Sequence, residues 1–185
     1  MRLDDLNALN ADAAAGELLR CCGSSRWARQ MAASRPFASS EALMASADSY
    51  WGALDGADWL EAFAAHPKIG AGGVDGAGRA GFDQRRATPL PEHGAAQDWS
   101  AQEQAGAAGA ADATLQRLAK LNRDYEARFG YIFIVCATGK SAAEMLELLE
   151  RRIGHDPETE IRIAADEQRK ITRLRLMKLL DGRQE

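Results

Sequence analysis

The chain has 185 residues and a mass of 20.0 kDa, and 46% of its residues are hydrophobic and 27% charged. These values are ordinary for a globular protein, and the length predicts a single domain over residues 1–185. The formal net charge of -4 argues against a nucleic-acid partner, because proteins that bind phosphates usually carry the opposite balance. No apolar run approaches the length of a membrane span, and the N-terminal residues lack the apolar stretch of a signal peptide. We therefore expect a cytoplasmic protein without a membrane partner.

The cysteines and histidines do not form a metal-binding or disulfide pattern. Cys21 and Cys22 are adjacent and Cys136 stands alone, so the count is odd and no C-x-x-C pair exists. This arrangement suits a reducing compartment and predicts neither a disulfide framework nor a zinc site. The histidines also stand singly, and no metal is predicted.

Capping residues and helix breakers divide the first 67 residues into predicted helices. Alanine is abundant and favours helix. Predicted helices cover 11–22 (capped by Asn10 and ended by Gly23), a short stretch around Trp27, a stretch from Ser39 or Ser40 to about Ala53, and a stretch after the cap Asp55. In the last of these, the spacing of Trp59, Leu60 and Phe63 predicts one buried face.

His66 follows that helix, and Pro67 forces the helix to stop, because the residue before a proline is pushed out of the α region. Histidine titrates near neutral pH and is the usual general acid or base. A histidine held at a helix end by proline could point into a cavity. Spacing alone is more typical of the alternative, a surface or capping histidine.

Residues 68–98 contain seven glycines and two prolines, which predicts a long mobile loop. Order is predicted to resume after Trp99, where Ser100 and Glu103 have the S-x-x-E spacing of a capping box. Glu103 could serve only as the capping partner. Alternatively Ser100, Glu103 and Gln104 could hold an anionic, amide-rich ligand, since a helix N-terminus offers free N–H donors.

In the second half of the chain, the sequence pattern predicts three helices and one extended run. The helices cover about 112–129, about 142–153 after the capping box of Ser141 and Glu144, and about 157–180. The extended run is 131–137, which is either plain buried core or a segment whose unpaired backbone groups bind a planar heterocycle. Most basic residues of the last helix should be solvated, but one arginine turned inward could clamp a carboxylate. The whole pattern predicts an all-α, single-domain helical bundle with one short extended segment.

Five motifs, in order along nearly the whole chain, resemble the 2-oxo-4-hydroxy-4-carboxy-5-ureidoimidazoline (OHCU) decarboxylase family. They are Arg35-Pro36-Phe37, His66-Pro67-Lys68-Ile69-Gly70, residues 99–106 (WSAQEQAG), residues 121–134 (LNRDYEARFGYIFI) and residues 170–176 (KITRLRL). Any one motif is weak, but their shared order is specific. The resemblance implies an all-helical homodimer without metal or organic cofactor. It also implies formation of (S)-allantoin in urate breakdown.

The resemblance also assigns site residues. His66 is expected to be catalytic together with Glu103. The expected substrate contacts are Pro67, Ser100, Gln104, the backbone of Phe133, Ile134, Val135, Cys136 and Ala137, and Arg175 as the inward arginine, with Arg173 as the alternative. The 68–98 segment is longer and richer in glycine than the family's usual link, so it is either a lid or an insertion without a role. The alternative function is a non-catalytic helical ligand-binding or regulatory module.

Overall fold

The computed structural model of the chain describes residues 1–67 and 112–181. Within those two ranges it contains eight helices and no strand, which confirms the predicted all-α class. The helices are α1 (Leu3–Ala8), α2 (Ala11–Cys22), α3 (Ser25–Ala33), α4 (Ser40–Gly52), α5 (Gly56–Ala64), α6 (Asp112–Phe129), α7 (Ala142–Arg152) and α8 (Pro157–Leu180). The glycine-rich stretch 68–98 and the helix predicted after Trp99 lie outside the described residues.

The predicted capping residues set the helix boundaries. The side chains of Asn10 and Ser39 accept hydrogen bonds from backbone N–H groups in the first turns of α2 and α4. Ser141 and Glu144 form the reciprocal capping box that opens α7. These side chains satisfy N–H groups that have no partner inside the helix, so local sequence alone fixes where these helices begin.

The sequence patterns missed α1 because it is only 6 residues long and buries a single side chain, Leu6. A short helix with one buried residue leaves no periodic apolar face to detect. Long-range contacts hold it instead. The guanidinium of Arg35 donates to the backbone carbonyls of Leu6 and Leu9 at 2.8 and 2.6 Å. The Arg35-Pro36-Phe37 motif therefore supports the N-terminal helix.

Helix α8 is the central element of the bundle. It packs against α2, α4 and α5. Helix α3 contacts the same three helices, and α6 pairs with α7. The indole N–H of Trp51 on α4 donates to the Ala165 carbonyl of α8 at 3.0 Å. Because α8 lies near the C-terminus and touches three helices from residues 11–64, polar side chains on its buried stripe can meet groups that are far away in sequence.

The predicted apolar face of α5 was wrong at one position. Phe63 is fully buried and Trp59 is partly buried, but Leu60 is 41% exposed. Trp59 and Phe63 are four residues apart and share a face, whereas Leu60 is turned about 100° from Trp59. The stripe of α5 that faces the core is therefore narrower than predicted.

A buried ion-pair cluster joins α6, α7 and α8. Glu160 on α8 is fully buried, and its Oε1 accepts hydrogen bonds from the Tyr125 hydroxyl at 2.5 Å and from Arg152 at 2.6 and 2.8 Å. Its Oε2 lies 2.8 Å from Nδ1 of His155. Arg152 also donates to the Ile134 carbonyl at 2.8 Å, which ties the extended segment to the cluster. Every oxygen of this buried carboxylate thus has a partner, as a buried charge requires.

Candidate active site

His66 sits where the sequence predicted, just beyond the last turn of α5. Its backbone N–H donates to the Phe63 carbonyl at 3.2 Å, which closes the end of the helix before Pro67. The Nε2 atom of its ring is buried and has no hydrogen-bond partner among the described residues. Buried polar atoms in proteins are nearly always paired, so this nitrogen marks a place where a polar partner is to be expected.

A glycine allows α2 to end against this region. Gly23 has a φ of 86°, and a Cβ added to it would lie 2.7 Å from the Cβ of Ala65 and 3.1 Å from the Ala62 carbonyl oxygen. A side chain at this position would push away the end of α5, one residue before His66. The glycine that ends α2 therefore also sets the position of the histidine.

Arg175 on α8 is the inward arginine, and Arg173 is not. Arg175 is only 3% exposed, and its charge acts on the His66 ring. Arg173 lies on the exposed face of the same helix, where its guanidinium pairs with Asp48 on α4. The two positions are two residues apart, so a helix must turn them to different faces.

The surroundings of His66 keep its imidazole neutral. Burial lowers the pKa of the ring most strongly, the positive charge of Arg175 lowers it further, and the side chain of Gln168 opposes both, so that the pKa falls to about 3. At neutral pH the ring therefore carries one N–H and one lone pair. A neutral imidazole of this kind can accept a proton from a substrate.

The extended segment 131–137 is part of the buried core, with only Ile132 half-buried, and part of its backbone is already paired. The Cys136 N–H donates to Glu167 at 2.7 Å and its carbonyl accepts from Lys140 at 2.6 Å. The Ile134 carbonyl is bonded to Arg152, as described above. The prediction that this backbone is unpaired is thus wrong for those groups. Within residues 1–67 and 112–181, no hydrogen bond uses the backbone of Phe133 or Val135.

Of the remaining predicted site residues, some lie within the described ranges and others do not. Pro67 is exposed at the end of the first described range, and Ala137 is buried, with its carbonyl bonded to the Lys140 N–H at 2.9 Å. Ser100, Glu103 and Gln104 lie outside the described residues. The structure thus brings together His66 and Arg175 from the predicted set.

Sequence reasoning missed the polar stripe of α8 that completes the site. Gln168 and Thr172 are both buried, and with Arg175 they follow the i, i+4, i+7 spacing of one helix face. The Gln168 amide nitrogen donates to the Cys22 carbonyl at 3.2 Å and to the Thr172 hydroxyl oxygen at 3.3 Å. The signal was available, because these residues share a stripe with the apolar core positions Ala164 and Ile171.

In the described parts of the chain, no group of three or more His, Cys, Asp or Glu side chains could hold a metal ion. Nor is any helix there long and apolar enough to cross a membrane. Cys21 and Cys22 are buried and free, and burial raises the pKa of each thiol to about 12. Their thiolates are thus not available as nucleophiles or metal ligands at neutral pH.

The fold and this site define an all-helical protein in which a neutral, half-buried histidine, whose Nε2 atom is buried, is influenced by the charge of a buried arginine. This pair of groups suits proton transfer on a small anionic molecule. The family model described as OHCU decarboxylase matches residues 7–177, and the chain belongs to that family.

Individual relatives agree with this assignment. The chain is 42% identical over 166 residues to the uric acid degradation bifunctional protein TTL of Arabidopsis thaliana, covering 88% of this chain but only 46% of that protein. It therefore spans about half the length of that relative. It is 31% identical over 146 residues to the 2-oxo-4-hydroxy-4-carboxy-5-ureidoimidazoline decarboxylase of Amia calva, covering 79% of this chain and 75% of that protein.

Solved structures share the fold. A crystal structure of OHCU decarboxylase in the presence of (S)-allantoin matches with a TM-score of 0.71 and 38% identity, covering 90% of this chain and 99% of that one. A crystal structure of (S)-allantoin synthase has a TM-score of 0.65 at 20% identity, covering 98% of this chain and 55% of that one. The second likeness concerns the fold alone.

Proposed function

We propose that this chain catalyses the decarboxylation of 2-oxo-4-hydroxy-4-carboxy-5-ureidoimidazoline to (S)-allantoin in urate breakdown. The observation that carries the proposal is the neutral, half-buried ring of His66, with its buried Nε2 atom, under the influence of the buried guanidinium of Arg175, in a chain of this family. The first group can move a proton, and the second can bind the carboxylate of an anionic substrate.

The chemistry asks two things of the protein. When the C–C bond to the carboxylate breaks and CO2 leaves, its electron pair is taken up by the adjacent C=N and C=O groups of the ring. The protein must stabilise that developing negative charge, and a proton must reach one face of the carbon for the product to have one handedness. Fixed N–H donors suit the first task and His66 suits the second.

Neutral His66 fits the proton-transfer role in either direction. Its lone pair can take the proton of the substrate hydroxyl, and the imidazolium so formed can return a proton to the carbanion carbon. The positive charge of Arg175 disfavours the imidazolium, which makes it a stronger acid. An imidazolium beside an arginine therefore gives its proton up readily, as the second step requires.

The other assignments are proposals from the family resemblance. Glu103 would be catalytic with His66, either binding ureido N–H groups or setting the protonation of the ring. Ser100 and Gln104 would bind the substrate at a helix N-terminus. Pro67 and the backbone of 133–137 would also contact the substrate. Among these, the backbone groups of Phe133 and Val135, which form no hydrogen bond within the described ranges, fit a planar ring better than those of Cys136.

We further propose that the enzyme is a cytoplasmic homodimer that needs no metal and no organic cofactor. The reaction needs only acid–base groups and donors, which side chains supply. Light scattering on a sizing column would test the dimer, with a mass near that of one chain as the contradicting result. Unchanged turnover after dialysis against a chelator would support cofactor independence, and lost turnover restored by one metal would contradict it.

The decisive experiment follows circular dichroism while urate is oxidised by a urate oxidase and a hydroxyisourate hydrolase. With this protein present, an (S)-allantoin signal should grow quickly. Without it, OHCU should decay slowly to optically inactive product. Identical slow, inactive product in both reactions would contradict the proposal and favour the non-catalytic binding module.

A further inference from the structure

Nε2 of the His66 ring and Oε1 of Gln168 are both buried, and neither has a hydrogen-bond partner within the described ranges. Gln168 belongs to α8 and His66 follows α5, so the two residues are brought together only by the packing of these helices. The amide of Gln168 nevertheless acts on the ring, because its hydrogen bonding raises the pKa of His66 against the effects of burial and of Arg175.

The orientation of the Gln168 amide is determined by its neighbours. Its nitrogen faces the Cys22 carbonyl at 3.2 Å, and a carbonyl oxygen can only accept a hydrogen bond. The nitrogen must therefore be the NH2 end of the amide. Its second hydrogen is directed to the Thr172 hydroxyl oxygen at 3.3 Å. Both amide hydrogens are thus engaged, and only Oε1 remains to act on the histidine.

We infer that Gln168 is a positioning residue for His66, whose amide oxygen faces Nε2 of the ring and keeps a hydrogen on that nitrogen, so that Nδ1 carries the lone pair. An amide oxygen has no hydrogen to give, so the ring nitrogen that meets it must be the N–H. A partner that selects the tautomer in this way also selects which nitrogen can act as the base.

The expected effect of Gln168 on turnover rests on the proposed function, whereas the assignment of the His66 tautomer is independent of that function. If His66 takes a proton from substrate, the nitrogen with the lone pair must face the substrate and the N–H must face away. A ring free to exchange tautomers or to rotate would spend part of its time in the unproductive state. Loss of Gln168 should accordingly lower kcat more than it raises KM.

The tautomer can be measured without substrate. Two-bond 1H–15N correlation spectra of protein labelled with 15N-histidine distinguish protonated from unprotonated ring nitrogens, and His66→Asn assigns the His66 signals. At pH 7.5 the wild type should show a protonated Nε2 and an unprotonated Nδ1. In Gln168→Met the two nitrogen shifts should move towards each other, as for a mixture of tautomers.

Two further variants separate this effect from loss of structure. Gln168→Glu keeps an acceptor and adds a negative charge, so it should hold the hydrogen on Nε2 and raise the pKa of His66 by roughly 1–3 units. Gln30→Met is the matched control, because Gln30 on α3 also has a buried Oε1 with no described partner but is not among the groups that act on His66. It should leave the ring signals unchanged. Far-UV circular dichroism checks that each variant is folded.

The spectra and the coupled assay each have outcomes that would overturn the inference. A wild-type ring with hydrogen on Nδ1, or identical ring shifts in wild type and folded Gln168→Met, would overturn the inference. In the coupled assay we expect kcat of Gln168→Met to fall about tenfold with KM within twofold, and kcat of Gln30→Met to stay within twofold. A changed tautomer with unchanged kcat would overturn the positioning role. If the wild type itself shows no turnover, the proposed function fails while the tautomer result stands.

Discussion

Helix α8 carries two buried polar clusters, and they are built in opposite ways. Around Glu160, near the start of the helix, both carboxylate oxygens are bonded to partners from α6, α7 and the turn that follows α7. Around Gln168, two turns further along, the amide oxygen and the nearby Nε2 of His66 remain without described partners. The same helix thus supports one closed cluster and one open cluster.

The difference indicates what each cluster does. A closed cluster of charges holds elements in a fixed arrangement, and here it joins the extended segment to the bundle through Arg152. The open cluster contains buried polar atoms that form no hydrogen bond within the described ranges, which costs stability and is typical of sites that bind something else. We therefore assign architecture to the Glu160 cluster and chemistry to the His66 cluster.

The largest effect should come from opening the closed cluster. Replacing Arg152 with Met removes the charge that pairs with Glu160 and leaves a fully buried carboxylate without its main counter-ion. We expect a loss of about 3–5 kcal/mol in the free energy of unfolding, measured by urea denaturation.

Arg117→Met is the matched control, because Arg117 pairs with Glu150 on the surface, where both side chains are exposed. It should cost less than about 1 kcal/mol. Equal losses for the two variants would contradict the assignment of an architectural role to the Glu160 cluster.

Replacing His66 with Asn should show the reverse pattern. We expect kcat in the coupled assay to fall by roughly 10²-fold or more, since the proton-transfer group is lost. Thermal unfolding should show a much smaller loss of stability than for Arg152→Met, because the hydrogen bonds of the Glu160 cluster stay intact. An activity loss below about threefold would remove His66 from the mechanism.

The two clusters also show which features of the fold and of the site could be predicted from the sequence. Helix caps such as Asn10 and Ser141 act over four residues, so their patterns predicted the boundaries of α2 and α7 correctly. His66 was found because Pro67 marks a helix end and because the surrounding motif resembles a known family. Both kinds of prediction depend on residues that are adjacent in the chain.

The partners that these buried polar residues meet could not be predicted in this way. Glu160 meets Tyr125 across 35 positions, and Gln168 meets the Cys22 carbonyl across 146. Neither pairing leaves a local periodic pattern, since each depends on how helices from different parts of the chain pack. The sequence also left Arg173 and Arg175 as alternatives, and only the rotation of α8 against its neighbours separated them.

That separation leads to a paired test of substrate binding. Arg175→Met removes the buried charge that we propose for the carboxylate, so KM for OHCU should rise about tenfold or more. Arg173→Met removes an exposed arginine that pairs with Asp48, and KM should stay within twofold. Similar changes in both variants would contradict the proposed role of Arg175 and point to a general effect of charge on α8.

The smallest expected effect is on the pH dependence of the free energy of unfolding, and it arises from His66 in the open cluster. The pKa of His66 is lowered in the folded chain to about 3, whereas the unfolded chain has an ordinary histidine near 6.5. Between these values the unfolded state binds the extra proton, so His66 lowers the stability of the folded state as the pH falls below about 6.5. From pH 6.5 to 5.5 this single group should cost about 1 kcal/mol in the free energy of unfolding.

His66→Asn removes that titration. The difference in the free energy of unfolding between pH 6.5 and 5.5 should therefore become smaller by the same amount, as measured by urea denaturation at each pH. His155→Asn is a useful comparison, because His155 lies against the Glu160 carboxylate and belongs to the closed cluster. If His66→Asn left the pH dependence of stability unchanged, the ring would not be held neutral by its burial. The contrast between an open and a closed cluster on α8 would then lose its electrostatic basis.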